Sequence, residues 1–220
     1  MTCCPGCAGY PAAESQFGSA SASRDLARYR RKGPDASSRL VLDSVAGMVH
    51  HADSLLDIGG GVGVLTFELL ARGISRATLV DASPAYLSAA QDEAERHRAG
   101  GRFQCALGDV VHLDAAIAPA DVVTMHRAVC CYPDWAALLG RATQLARRVL
   151  AFSYPRDAWY IRSWVRLDNG RRRLFGNSFR TFVHSPTAME DYIAAAGFER
   201  VSQRTTPVWC VVAYARRNAP

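Results

Sequence analysis

Nowhere in these 220 residues is there a run of about 18 apolar side chains, so no ordinary membrane-spanning helix is encoded. The N-terminus lacks the basic segment followed by an apolar one that marks a secretory signal, and the cytoplasm is the expected location. No internal repeat is visible. A long phosphate-binding track is missing too. The net charge is +6, yet the basic residues fall in short clusters, Arg28-Tyr29-Arg30-Arg31-Lys32 and Arg171-Arg172-Arg173. Runs this short more often form a solvated helix face than a nucleic-acid footprint. Nucleic acid is therefore not expected as a partner, and an anionic small molecule such as a carboxylate is a better use of these arginines. What remains is ordinary globular composition, 49% hydrophobic and 21% charged, in a chain long enough to bury a full core.

The most informative stretch is Leu55-Leu56-Asp57-Ile58-Gly59-Gly60-Gly61-Val62-Gly63. It reads as a buried strand ending in an acidic residue, then a glycine turn, then the start of a helix. Glycines at 59, 61 and 63 remove Cβ atoms where backbone must turn sharply and lie close to a ligand. A second strand, Ala77-Thr78-Leu79-Val80, ends in Asp81, 18 positions after Gly63, where a carboxylate can accept both ribose hydroxyls. A third, around Phe103 to Leu107, is followed by Gly108-Asp109-Val110.

Strands are expected near 54–58, 77–81, 102–106, 121–126 and 147–153, with helices near 62–72, 84–99, 112–117 and 134–146. That alternation argues for a parallel sheet covered by helices on both faces. Ahead of it, residues 1–23 read as an irregular lead, followed by two cap helices at 24–32 and from Asp35 to about His50. Asp35 is the N-cap of the second. Between Tyr154 and Ser185 an aromatic and arginine-rich stretch interrupts the periodicity and reads as a lid-like insertion. A helix from Ser185-Pro186 to near Gly197 and two strands near 198–205 and 208–215 close the chain. The expected fold is α/β: a Rossmann-like, doubly wound, seven-stranded sheet, mostly parallel with an antiparallel last strand, under an N-terminal helical cap. One domain covers 1–220, as cap 1–50, core 51–153, insertion 154–185 and C-terminal part 186–220.

The three glycine and aspartate motifs, in this order, resemble those of the class I S-adenosylmethionine (SAM) dependent methyltransferases. A dinucleotide-binding protein would instead show Gly-x-Gly-x-x-Gly with no carboxylate just before the turn, which disfavours a nicotinamide-dependent dehydrogenase. The resemblance implies that SAM is the cofactor. Asp57, Gly59, Gly60, Gly61 and Gly63 would lie at its methionine part, Asp81 with Ala82 and Ser83 at the ribose, and Asp109 with Val110 at the adenine. Tyr132-Pro133, Ser153-Tyr154-Pro155 and Phe182-Val183-His184 are similar, in that order, to the C-terminal half of the magnesium-protoporphyrin methyltransferases. That likeness implies shared ancestry among SAM enzymes, not a porphyrin substrate. Cys130-Cys131 has no counterpart there.

For catalysis, His126 is the candidate general base, with the alternative that its backbone contacts the cofactor while its ring shapes the pocket. Tyr132 and His184 are further catalytic candidates. Tyr29 and Tyr132 would each offer an aromatic face to the sulfonium. Of the seven cysteines, Cys105 and Cys210 fall inside strands and read as buried apolar residues. Cys3, Cys4 and Cys7 sit in the lead, and Cys130 and Cys131 at the crevice mouth. Two readings follow: free thiols, some lining the pocket, or a thiolate site of Cys4, Cys7, Cys130 and Cys131 for a soft ion, serving as sensor or methyl-acceptor site. No bound metal is the expectation, since Cys4-x₂-Cys7 alone has the usual zinc spacing. The favoured function is SAM-dependent methyl transfer to a small molecule.

Overall fold

The computed structural model describes residues 16–49, 52–113 and 117–217. Its centre is a seven-stranded sheet in the order β3-β2-β1-β4-β5-β7-β6. The strands are β1 (Ser54–Ile58), β2 (Arg76–Asp81), β3 (Phe103–Leu107), β4 (Ala120–Met125), β5 (Ala146–Pro155), β6 (Phe198–Thr205) and β7 (Trp209–Arg216). The first five run parallel, and β7 lies antiparallel between β5 and β6.

Side-chain alternation divides each strand between two cores. Leu56, Ile58, Val123, Met125, Leu150, Phe152, Val212 and Tyr214 face one way. Against them pack Leu138 and Leu139 of α5 (Trp135–Leu145) and Met189 and Ile193 of α7 (Pro186–Ala195). Leu55, Val122, Val149, Ala151, Val211 and Ala213 face the other way, beneath α2 (Ala36–Val45) and α3 (Val64–Ala71). Near the carboxyl ends of β1, β4 and β5 this second face turns polar, at Asp57, Thr124 and Ser153, and all three side chains are buried. α1 (Ser19–Lys32) lays Ala22 and Leu26 against Tyr86 and Ala89 of α4 (Pro84–Arg96).

Local chemistry explains the helix starts. Asp35, Ser83, Asp134 and Ser185 each accept a backbone N–H three residues on. Gly197, with φ +89°, follows α7 as a left-handed stop.

Four expectations need correction. α1 starts at Ser19 rather than Arg24, because Ala22 is buried and extends the apolar stripe one turn back. α2 ends at Val45 and is followed by turns over 46–49. The helix expected at 112–117 is not formed at its described residues, where the chain turns at His112; residues 114–116 lie outside the described residues. The insertion contains a regular helix, α6 (Trp159–Leu174). It escaped the periodicity reading because only Ile161 and Val165 of its apolar residues face inward.

Candidate active site

The strand order reverses between β1 and β4, and a cavity of about 590 Å³ opens there at the carboxyl ends of the strands. Its floor is the turn after β1. Gly59 N–H donates to Val80 O (2.7 Å), tying the turn to the next strand. Gly63, at φ +83°, starts α3, and a Cβ there would come 2.5 Å from the Phe67 ring. A Cβ on Gly60 would meet Asp57 Oδ2 at 2.7 Å, so this position must be bare for the carboxylate to sit beneath the turn.

Asp57 is fully buried and accepts from Thr66 Oγ1 (2.9 Å) and Thr124 Oγ1 (2.7 Å). Thr124 is also its cross-strand partner on β4. Burial pushes the Asp57 carboxyl up to about 6, against the pull of the two threonines. Asp81 ends β2 with Oδ1 accepting from Ser83 N–H (2.8 Å) and Oδ2 from Gly61 N–H (2.9 Å). Burial raises its pKa too, opposed by those backbone donors. Ser83 Oγ donates to Phe17 O (2.7 Å), holding the segment before α1 on the cavity wall. Asp109 accepts from Val111 N–H (2.9 Å) and from Tyr132 Oη (2.8 Å), which brings the β3 and β4 loops together.

A second cluster joins the cap to the β4 and β5 ends. His126 lines the cavity, with Nε2 3.2 Å from Ser38 Oγ and Nδ1 3.0 Å from Ser153 Oγ. Burial, then the adjacent Arg127, drives its pKa down to about 3, so the ring is neutral. Arg127 Nη2 donates to Asp35 Oδ2 (2.7 Å) and Ser37 Oγ (2.8 Å), and its guanidinium lies 4.9 Å from the Trp209 ring. Its Nε is buried with no hydrogen-bond partner among the described residues. At Asp35 burial pushes upward, but the Ser38 N–H, Arg127 and Ser37 outweigh it and hold the carboxyl well below the usual range. Arg28 lies 3.7 Å from the same carboxylate.

The cysteines after Arg127 form a turn, Val129–Cys131. Cys130 Sγ and Cys131 Sγ are 3.8 Å apart, and each donates to Arg127 O. Cys131 lines the cavity. The Cys130 thiol bonded to it lowers the Cys131 pKa, with help from Arg172. Among the described residues no three His, Cys, Asp or Glu side chains gather as a metal would need. Cys3, Cys4 and Cys7 lie outside the described residues.

The cavity thus brings together Asp57, Gly59, Gly60, Gly61, Asp81, Ala82, Ser83, Asp109, Val110, His126 and Tyr132. Three expected residues stand apart from its lining: Gly63, which instead packs against the Phe67 ring, Tyr29 and His184. Tyr29 falls on the inner stripe of α1 with Ala22 and Leu26, and donates to Glu68 Oε1 (3.2 Å). His184 directs Nε2 to Val129 O (3.1 Å) and Tyr132 O (3.0 Å), which makes it a brace for the cysteine turn. Asp25, Arg28, Asp35, Ser38, Arg127 and Phe179 line the cavity and were not singled out as site residues. The cap residues carry a usable signal: Asp25 and Arg28 lie three apart, on the helix side not taken by Ala22, Leu26 and Tyr29.

Residues 55–151 match the family described as a methyltransferase domain. Among solved structures the chain is similar to a magnesium protoporphyrin IX methyltransferase from Synechocystis with bound S-adenosylhomocysteine (SAH). The identity is 19% and the TM-score 0.66, over 88% of this chain and 95% of that one. It is also similar to an O-methyltransferase family protein from Burkholderia thailandensis, with 17% identity and TM-score 0.72, over 94% of this chain and 64% of that one. An N-methyltransferase from Bradyrhizobium japonicum in complex with SAH gives 15% identity and TM-score 0.61, over 91% and 98%. At these identities the likeness is one of fold. No curated protein sequence gives a match.

Proposed function

We propose that this chain is a class I SAM-dependent methyltransferase that methylates a small anionic acceptor presented to Arg28 and Arg127. The observation that carries the reading is one cavity holding both the glycine turn with Asp81 and the arginine cluster on Asp35. A volume of about 590 Å³ suits a cofactor and a small substrate. SAM fits what is present. Asp81 is a half-buried carboxylate at the cavity wall, suited to ribose hydroxyls, and the turn 59–61 lines the cavity where the methionine part would lie. Asp109 and Val110 would meet the adenine.

When bound, SAM supplies a methyl carbon on a positively charged sulfur, an electrophile for which alignment contributes most of the acceleration. The chain's own residues then position the acceptor. Arg127, with a buried and unpartnered Nε, and Arg28 beside it offer donors to an acceptor carboxylate. Neutral His126, bonded at both nitrogens, is a weak base in this setting. Its proposed role is to hold Ser38 and Ser153 in register at the crevice. Tyr132 braces Asp109 rather than taking a proton. The Cys130 and Cys131 pair, present as thiols, is proposed to shape acceptor choice. It suits a reducing, cytoplasmic setting.

Methyl transfer from tritiated SAM to a panel of small carboxylates, phenols and amines tests this reading. Label on an extractable anionic molecule is expected, and Arg127→Gln should raise its KM. Label appearing on RNA or protein alone would overturn the proposed acceptor class. A second reading takes Cys130 and Cys131, 3.8 Å apart at Sγ, as half of a soft-ion site with Cys4 and Cys7. Near-stoichiometric metal by elemental analysis of untagged protein would favour it.

A further inference from the structure

α6 leaves its largest apolar side chains in solvent. Trp159 is 80% exposed, Trp164 59%, Leu167 74% and Leu174 86%, and Phe175 just past its end is 80% exposed. At 3.6 residues per turn, Tyr160, Trp164, Leu167 and Leu174 share one outward stripe. Ile161, Val165, Asp168 and Arg172 face inward, where Arg172 lies over the Phe179 ring at the cavity. The helix carries five arginines against one aspartate. Arg162 pairs with Asp157, and Arg171 and Arg172 pair with Asp168. Arg166 and Arg173 are exposed and pair with no carboxylate among the described residues.

We propose that this face docks on an anionic phospholipid surface, with the Trp164, Leu167 and Leu174 stripe entering the headgroup boundary and Arg166 and Arg173 meeting lipid phosphates. Exposed apolar surface of this extent is uncommon on a solvated helix. Tryptophan and leucine beside arginine are the composition of helices that lie in the membrane interface. Charge complementarity selects the occupant. A second copy docking through the same face would bring two arginine-rich helices together, whereas an anionic bilayer neutralises them. Of the stripe only Trp164 offers a nucleic acid a stacking surface, while Leu167 and Leu174 offer none. No helix among the described residues is long and apolar enough to cross a membrane, so the contact is with the surface. This inference does not rest on methyl transfer.

The test is sedimentation of the full chain with vesicles of phosphatidylcholine alone or phosphatidylcholine mixed with phosphatidylglycerol. Binding is expected to the mixed vesicles, with a blue shift of tryptophan emission and release in high salt. Trp164→Ser with Leu167→Ser should abolish binding without moving the unfolding midpoint. Arg166→Gln with Arg173→Gln should weaken it about 25-fold, from roughly fivefold per arginine. The proposal fails if neither vesicle binds, if both bind equally, or if the arginine pair leaves partitioning unchanged. It also fails if the Trp164 and Leu167 changes instead disperse a dimer, which would assign the face to a second copy, or abolish RNA binding.

Discussion

Asp57→Asn separates two roles of the acidic residue ahead of the glycine turn. In the folded chain its carboxyl titrates near 6 rather than at the unfolded 3.8, because burial disfavours the charge more than Thr66 and Thr124 favour it. A raised acid binds its proton more tightly when folded, so wild-type stability from this group falls as pH rises from about 4 to about 6 and is flat above. At about 1.4 kcal/mol per unit, the ionised form costs about 3 kcal/mol at pH 8, of which roughly 2 kcal/mol accrues above pH 4.5. Asparagine keeps the shape, accepts from one threonine and donates to the other, and does not titrate. Urea unfolding of both proteins at pH 4.5 and 8 reads the difference. Relative to wild type, the variant should gain roughly 2 kcal/mol between the two pH values. An equal loss at both would show that the charge carries no penalty, and the reasoning from burial would be wrong.

Gly63→Ala should cost about 2–4 kcal/mol in thermal unfolding, combining a left-handed φ with a contact on Phe67 that must open. Since His126 stays neutral above a pKa of about 3, kcat/KM between pH 5 and 8 should show no imidazole inflection, and an inflection lost in His126→Gln would restore it as base. Tyr132→Phe removes one hydroxyl from Asp109, so SAH affinity should drop by about 1 kcal/mol with kcat little changed; a hundredfold fall in kcat would make Tyr132 catalytic. Asp35→Ala removes the cap of α2 and the anchor of Arg127, and should cost about 1–2 kcal/mol of stability together with a raised acceptor KM.

Strands β1, β4 and β5 were legible because parallel strands buried on both faces read as short apolar runs bounded by turn residues. All seven strands lie within a residue or two of their expected limits. That Asp81 and Asp109 line the cavity was legible, since strand ends in such sheets deliver side chains to one crevice. The side of α1 that meets the cavity was not legible, because helix phase decides it, and Asp25 and Arg28 line the cavity where Tyr29 was expected. For His184, expected as a catalytic candidate, residue type could not show that two backbone carbonyls claim its ring. The environment of His126 depends on Ser38, 88 positions away, and on Ser153, 27 away. No local pattern carries either contact. α6 was hidden by its exposed aromatic residues, which break the inward periodicity that a buried helix shows.

Titration of SAH into the wild-type chain and into Asp81→Ala tests the central claim most directly. Wild type is expected to bind in the micromolar range. The variant should bind about 10- to 150-fold more weakly, from the roughly 1.5–3 kcal/mol carried by a charged hydrogen-bond acceptor. Unchanged affinity in Asp81→Ala, or tight binding of NAD with none of SAH, would contradict the account.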